Sequence, residues 1–265
     1  MVLFFDIDGT LIDTHHQLPP SLLPAMKSAK RHGHQLIINT GRTLCNLDNR
    51  LKAYPFDGWI TGCGSHIVYH EEILRNMYFS LPESLMIRSL FRELNLPAVY
   101  ECDTGIYFDP LIGQNDPAIQ AFSVFAQKAG IYREVTENDR DFCVIKMFCF
   151  SDSLPQIHLF QTRSLKMGFS FETIHREDSG NGWEIVPSCI SKATGMEIIC
   201  DRLGVSIDHT FAFGDSENDL PMLNRAGVSI AMGNAPQHVK SACTYVTDYP
   251  EDDGIVKAMK NFHLI

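Results

Sequence analysis

The chain is short of several features that would have settled its class at once. None of its eight cysteines (Cys45, Cys63, Cys102, Cys143, Cys149, Cys189, Cys200 and Cys243) forms a Cys-x-x-Cys pair, and none joins histidines at zinc spacing. A zinc ribbon and a dithiol redox motif are thereby excluded. The cysteines are scattered through apolar stretches, as buried free thiols are, which points to a reducing compartment. There is no basic run, and 22 basic against 32 acidic residues leave a formal charge of −10. A nucleic-acid backbone is therefore not the expected partner. An acidic protein repels phosphate at long range, so any phosphate site has to be built locally. No apolar run reaches the length of a membrane span. The opening Met-Val-Leu-Phe-Phe-Asp has no basic region and is too short for a signal sequence. The expectation is a cytoplasmic protein without a membrane partner. Repeats and low-complexity segments are also missing. What remains is ordinary globular material: 265 residues, 45% hydrophobic and 20% charged, enough for one or two domains.

Along the chain, apolar runs alternate with amphipathic stretches at both ends but not in the middle. Residues 2–5 read as a buried strand. Residues 21–32 have helical periodicity, with Leu22, Leu23, Met26 and Ala29 on one face. Residues 35–39 are the next strand, 43–53 the next helix, and 59–61 and 67–69 short strands about a Gly-x-Gly turn. The last third repeats the alternation: helices at 192–203, 220–224, 236–242 and 254–261, strands at 210–213, 228–231 and 245–247. This pattern implies a parallel sheet covered on both faces. The middle carries helices at 82–94, 117–129 and 153–167. Its strands, at 98–101, 105–109, 144–150, 169–175 and 183–186, partly adjoin with no helix between them. That suggests an antiparallel sheet with helices on one face. The fold class expected is α/β. A doubly wound, Rossmann-like core domain (1–81 and 188–265) would carry an inserted α+β domain (82–187).

Four short motifs carry the chemistry. The first is Asp6-Ile7-Asp8-Gly9-Thr10, directly after an apolar strand. Carboxylates at i and i+2 on an extended segment point the same way. At the carboxyl end of a parallel strand they face the crevice where such sheets bind ligands. Adjacent carboxylates repel unless a cation or proton lies between them, and Mg²⁺, which takes oxygen ligands, fits. The second is Asn39-Thr40-Gly41-Arg42 at the next strand end, where a hydroxyl and a backbone N–H offer a phosphate cradle. The third is Lys192, opening a helix after the middle insertion. The fourth is Phe213-Gly214-Asp215-Ser216-Glu217-Asn218-Asp219, in which Asp215 can complete a metal site and Asn218 can donate to phosphate. An acidic helix N-terminus explains Glu217 or Asp219 without any chemistry; it does not explain Asp215.

In this order the motifs resemble the haloacid dehalogenase superfamily of phosphohydrolases over nearly the whole chain. The insertion between the second and third motifs is similar to a type IIB cap. Ala231-Met232-Gly233-Asn234-Ala235-Pro236, then Val239-Lys240, Tyr245-Val246-Thr247 and Asp252-Asp253-Gly254-Ile255, resemble the Cof-type subfamily. That subfamily usually has Asn-Gly-Ala in the turn after the third strand, where this chain has Cys63-Gly64-Ser65. The resemblance implies a Mg²⁺-dependent phosphohydrolase acting on a small phosphorylated substrate. Asp6 would be the nucleophile and Asp8 the acid/base. Asp6, Asp8 (through its backbone carbonyl) and Asp215 would hold the metal. Ile7, Thr40, Gly41, Lys192 and Asn218 would bind phosphate, with Thr10, Arg42, Ser216, Asp219 and Asn234 as supporting candidates. The cap would close over the site and exclude water.

Other readings start from the same residues. A phosphotransferase or mutase would pass the phosphoryl group to an acceptor hydroxyl. A signalling receiver also uses clustered Asp, a Thr and a Lys, but this chain is too long and its Lys follows a large insertion. A phospho-ligand sensor without turnover would not need the second carboxylate. His15 and His16 read as solvated loop residues, Cys63 as a small turn residue, and Trp183 as packing.

Overall fold

The computed structural model describes residues 1–176 and 181–265. The chain divides into two compact units: residues 1–41, 48–76 and 190–265, and residues 42–47 and 77–189. These limits lie a few residues outside the expected 82–187, and they give 42–47 to the second unit.

In the first unit, with strands and helices numbered along the whole chain, the elements are β1 (Val2–Phe5), α1 (Leu22–Arg31), β2 (Gln35–Asn39), β3 (Gly58–Thr61), β4 (His66–Tyr69) and β5 (Glu72–Asn76). After the insertion follow α5 (Lys192–Leu203), β12 (Thr210–Gly214), α6 (Leu220–Arg225), β13 (Val228–Ala231), α7 (Gln237–Ala242), β14 (Tyr245–Val246) and α8 (Gly254–Asn261). The sheet runs β14-β13-β12-β1-β2-β3-β4-β5. The strands from β14 to β3 are parallel, whereas β4 and β5 add antiparallel. Both faces are covered, so β1 is buried at every position. Val2 and Phe4 pack with Met196 and Ile199 of α5. On the alternate positions Phe5 stacks on Phe213, with ring centroids 4.7 Å apart. Gly204, left-handed at φ 63°, ends α5.

Register decides where the chemistry falls. Phe5 sits opposite both Phe213 of β12 and Ile38 of β2, so the three strands end level. The chain leaves β1 toward β2 on one side, and β12 lies on the other. That is a topological switch point, where open α/β sheets form a crevice. Asp6 and Asp215 are the first residues past the two strands that flank it.

The second unit holds α2 (Leu81–Glu93), β6 (Ala98–Cys102), β7 (Gly105–Phe108), α3 (Pro117–Lys128), β8 (Tyr132–Glu134), β9 (Lys146–Phe150), α4 (Leu154–Lys166), β10 (Phe171–Arg176) and β11 (Gly182–Pro187). Caps set the helix starts. Ser80 and Glu83 form a capping box on α2, and Asp116 accepts from the Ala118 and Ile119 amides at 2.9 and 3.1 Å. The sheet runs β10-β11-β9-β6-β7-β8. It is antiparallel except for β7 and β8, which pair in parallel. Tyr100, Met147, Cys149 and Ile185 pack with Phe91 of α2 and Phe160 of α4. The alternate residues Val99, Ile106, Phe108 and Phe148 pack with Ile119 and Ala126 of α3. The helices therefore lie on both faces, not on one as expected.

Three local expectations fail. Residues 43–53 are not one helix but two 3₁₀ turns, Leu44–Asn46 and Asn49–Ala53, because Leu47 and Asp48 are extended and the Asp48 carboxylate caps a new start at Arg50. Strands β5 and β8 are additions. Both are short, polar edge strands, where the hydrophobic alternation that betrays a strand is weakest. The eight cysteines are free thiols as expected, but only Cys63, Cys102, Cys149 and Cys200 are buried; Cys45, Cys143 and Cys243 are half-buried and Cys189 is exposed. Among the described residues no helix is long and apolar enough to cross a membrane.

Candidate active site

Asp6 continues the β1 ladder one residue past its end, its amide donating to the Phe213 carbonyl at 3.0 Å. The residue is 5% exposed. The chain then doubles back: the Ile12 amide donates to the Ile7 carbonyl and the Gly9 amide to the Ile12 carbonyl, both at 2.9 Å. Ile7 goes into the core, while the Asp8 side chain is exposed. Gly9 has φ +76°, and a Cβ there would lie 2.2 Å from Asp215 Oδ2 and 2.9 Å from Asn234 Nδ2. Only glycine admits this close approach. Asp215 is then held from both sides. Thr10 Oγ1 donates to its Oδ1 at 3.1 Å, and Asn234 Nδ2 donates to its Oδ2 at 3.1 Å and to the Gly9 carbonyl at 3.0 Å.

The turn after β12 folds around Asp219, which is fully buried. Its Oδ2 accepts from the Asp215 and Ser216 amides at 2.9 and 3.0 Å, which makes it a cap for its own turn. Ser216 Oγ donates to Asn218 Oδ1 at 2.9 Å. The other oxygen, Asp219 Oδ1, accepts from Lys192 Nζ at 2.5 Å, and Lys192 Nζ also donates to Asp6 Oδ1 at 2.6 Å. Lys192 is 1% exposed and is the first residue of α5. Its position depends on Gly64, φ +108°, where a Cβ would stand 2.5 Å from the Ser191 carbonyl oxygen. The turn at 62–64, in which Cys63 is left-handed at φ 59°, can thus lie against the start of α5.

Asp6, Asp215 and Asp219 each offer an oxygen within 4.8 Å of the others. Burial raises Asp6 to about 7, helped by the charge of Asp219 and, less, of Asp8, and opposed by Lys192. Asp215 is raised well above the usual carboxylate range by burial, then by Asp219 and Asp6. Burial pushes Lys192 down, but the charges of Asp219 and Asp6 outweigh it and hold the ammonium above its ordinary range. One ammonium thus faces three converging carboxylates. The donor set is all oxygen and negative in excess, which fits a hard divalent cation such as Mg²⁺.

Thr40 is buried beside this edge, its amide donating to the Ile60 carbonyl at 2.9 Å and its carbonyl accepting from the Cys63 amide at 3.1 Å. Gly41 is the last residue of the first segment of the first unit. Arg42 belongs to the second unit, where Nη1 donates to the Asn46 carbonyl at 3.1 Å.

A family signature, haloacid dehalogenase-like hydrolase, matches residues 3–259. The chain belongs to that family. It is of the Cof type with an α/β core and a IIB cap. The hydrolase is 26% identical to 5-amino-6-(5-phospho-D-ribitylamino)uracil phosphatase YitU of Bacillus subtilis, covering 98% of this chain and 97% of that one. It is 24% identical to a phosphoglycolate phosphatase of Methanobrevibacter smithii, over 98% and 97%. Among solved structures it is similar to the subclass IIB sugar phosphatase BT4131, with TM-score 0.81 and 26% identity over 100% and 99% of the two chains. It is equally similar to the phosphatase BT1666 of Bacteroides thetaiotaomicron, with TM-score 0.81 and 26% identity over 100% and 95%.

Of the residues singled out in the sequence, the fold brings Asp6, Thr10, Lys192, Asp215, Ser216, Asp219 and Asn234 into one network, with Asn218 bonded to Ser216. Asp219 is more than a supporting residue, because it joins Lys192 to the Asp215 turn. Its burial had one signal in the sequence: it precedes Leu220-Pro221 with the spacing of a capping box from Ser216. Asn39 stood in the second motif with no role. In the hydrolase it is fully buried and bonded to the Lys192 backbone.

Proposed function

We propose that this phosphoric monoester hydrolase works by nucleophilic attack of Asp6 on phosphorus, with Mg²⁺ as cofactor. The observation that carries the reading is the buried Lys192 ammonium bridging Asp6, at the end of β1, and Asp219, in the turn after β12, 2.6 and 2.5 Å away. In the first step an Asp6 oxygen forms a bond to phosphorus, in line with the ester oxygen. The P–O ester bond breaks, and the Asp8 carboxyl gives its proton to the departing oxygen. In the second, Asp8 takes a proton from water whose oxygen attacks the phosphorus. The bond to Asp6 breaks and inorganic phosphate leaves. Asp6, Asp215 and the Asp8 carbonyl would hold Mg²⁺, with Asp219 in reach; when bound, it offsets charge between carboxylate and phosphoryl group. Lys192, Thr40, the Ile7 and Gly41 amides and Asn218 orient the other phosphoryl oxygens.

The substrate class we assign is small phosphate monoesters, sugar or cofactor-type phosphates. The support is that relatives over the full length are phosphatases of such compounds by name. The second unit would act as the cap that sets specificity, and the cytoplasm is the compartment that fits the free thiols. The test is phosphate release from a panel of sugar phosphates, phosphoglycolate, pyridoxal phosphate and flavin mononucleotide, with Mg²⁺ and with excess EDTA. Mg²⁺-dependent release is expected. Full turnover after metal stripping would overturn the metal assignment, and transfer to added sugars in place of release would make the enzyme a phosphotransferase.

A further inference from the structure

We infer that Asn39 is a positioning residue that sets Lys192, an inference that rests on reading Lys192 as a phosphoryl ligand. Asn39 is the last residue of β2, opposite Ile60 of β3, and is fully buried. Its Nδ2 donates to the Lys192 backbone carbonyl at 2.9 Å and approaches Met222 Sδ at 3.4 Å. Both N–H groups of the amide are thereby directed. One binds the first residue of α5, which carries Lys192. The other meets α6, the helix that follows Asp219.

The bond is not there to satisfy the carbonyl. As the first residue of α5, Lys192 already offers that oxygen to the helix's own ladder four residues on. Nor is the side chain saturated, since among the described residues Asn39 Oδ1 has no hydrogen-bond partner. Turning the amide over would set its oxygen against the Lys192 carbonyl, so the orientation is fixed by the donor. An apolar side chain of similar size would fill the space without burying an orphan acceptor. The asparagine ties the end of β2, the start of α5 and α6 at one point. The ammonium that depends on this tie has to meet Asp6 Oδ1 and Asp219 Oδ1 together, at 2.6 and 2.5 Å. A misplacement of about 1 Å costs on the order of 10²-fold in rate in such sites.

The experiment is a double-mutant cycle in the Mg²⁺-loaded full chain. It is read by turnover of p-nitrophenyl phosphate and by calorimetric binding of vanadate, which needs no turnover. The variants are Asn39→Leu, Lys192→Met and the pair, with melting temperatures recorded for each. Asn39→Leu is expected to lower kcat about 10- to 100-fold and to weaken vanadate in the wild-type background. In the Lys192→Met background it should change either by less than about threefold, because the residue it positions is gone. A structural role would lower the melting temperature and leave the same ratio in both backgrounds, and that result overturns the inference. So does wild-type kcat in Asn39→Leu. Should Asn39→Leu fail to fold, Asn39→Ala, smaller and without the donor, completes the same cycle. A Lys192→Met enzyme with wild-type kinetics and vanadate affinity would instead refute the reading of Lys192 and so the proposed function.

Discussion

Each unit buries a lysine between two carboxylates, and the two arrangements are not equivalent. In the first, Lys192 lies between Asp6, just past β1, and Asp219, in the turn after β12, with Asp215 alongside. In the second, Lys146 of β9 lies 2.6 Å from Glu184 of β11 and 3.3 Å from Glu101 of β6, and Thr43 donates to Glu101 at 3.3 Å. Glu101 and Lys146 are direct cross-strand partners in the middle of a sheet. Burial raises Glu101 as well, with Glu184 adding and Lys146 opposing. Among the described residues, the second cluster holds two carboxylates about one ammonium, tied along regular strands. The first has one more carboxylate, and its backbone has just left the ladder. Charge in excess, at a place where the chain can still admit a ligand, separates a site from a strut.

The comparison can be broken at several points. The largest effect belongs to Asp6→Asn: loss of about 10⁴-fold or more in turnover, with the fold retained because the core beneath is untouched. Beryllium fluoride binding with Mg²⁺ checks the assignment, since Asp8→Asn should keep it and Asp6→Asn should lose it. Near-normal phosphatase activity in Asp6→Asn would put the nucleophile elsewhere. Next comes Lys146→Met, which removes the ammonium beside two buried carboxylates and should cost about 3–5 kcal/mol of stability, read from the urea midpoint. Its kcat at saturating substrate should stay within about threefold of wild type, there being no place for Lys146 in the proposed chemistry. A larger fall in kcat at unchanged stability would make the second cluster part of the chemistry. Lys192→Met should show the reverse ratio, with turnover lower by about 10²–10³-fold. Its stability loss in Mg²⁺ should be smaller than that of Lys146→Met, since protons or the cation can take up the charge left on Asp6 and Asp219.

The smallest effect is a pH dependence. Asp6 is raised from 3.8 to about 7, so between these values the folded state holds a proton that the unfolded state has lost. The stabilisation is complete below about 3.8 and disappears as pH rises through about 7, and Asp215 acts in the same direction. Mg²⁺ replaces that proton, so its stabilising effect should be greater at pH 7.5 than at pH 5. Glu101 contributes the same sign with or without Mg²⁺, so the difference between the two conditions isolates the first cluster. An equal Mg²⁺ shift in melting temperature at both pH values would contradict the coupling.

The sequence showed the first cluster and hid the second, for a physical reason. Asp6, Thr40, Lys192 and Asp215 each follow a strand or open a helix, so each sits in a short stretch whose Gly, Thr and Asp are unusual for their place. Glu101, Lys146 and Glu184 lie inside strands, far apart in the chain, and only register brings them together. The signal was there in the period of two: Glu101 follows the inward Val99, and Lys146 precedes the inward Phe148. The boundaries of α5 and α8 were legible because Ser191, Gly204 and Asp253-Gly254 mark them. The stretch 43–53 was not, since its apolar spacing suits a helix while Asp48 and its neighbours stop one. Asn39 was visible as a motif member, but its partner lies 153 residues away.

Strand β5 ends the larger sheet, and among the described residues its outer edge has no neighbouring strand. Ile73 on it is 60% exposed. An open edge bearing an isoleucine is a template on which a second chain could grow. Here it is guarded by its own composition. Glu72 is held by Arg202 at 2.8 Å, and a register shift between Ile67 and Val68 breaks the regular spacing of the pair. Charge and irregularity at an edge oppose strand addition. Resistance to pairing at this edge therefore falls to an ion pair outside the network around Asp6, and neutralising Glu72 and Arg202 together is expected to make this edge the first place where a second chain adds.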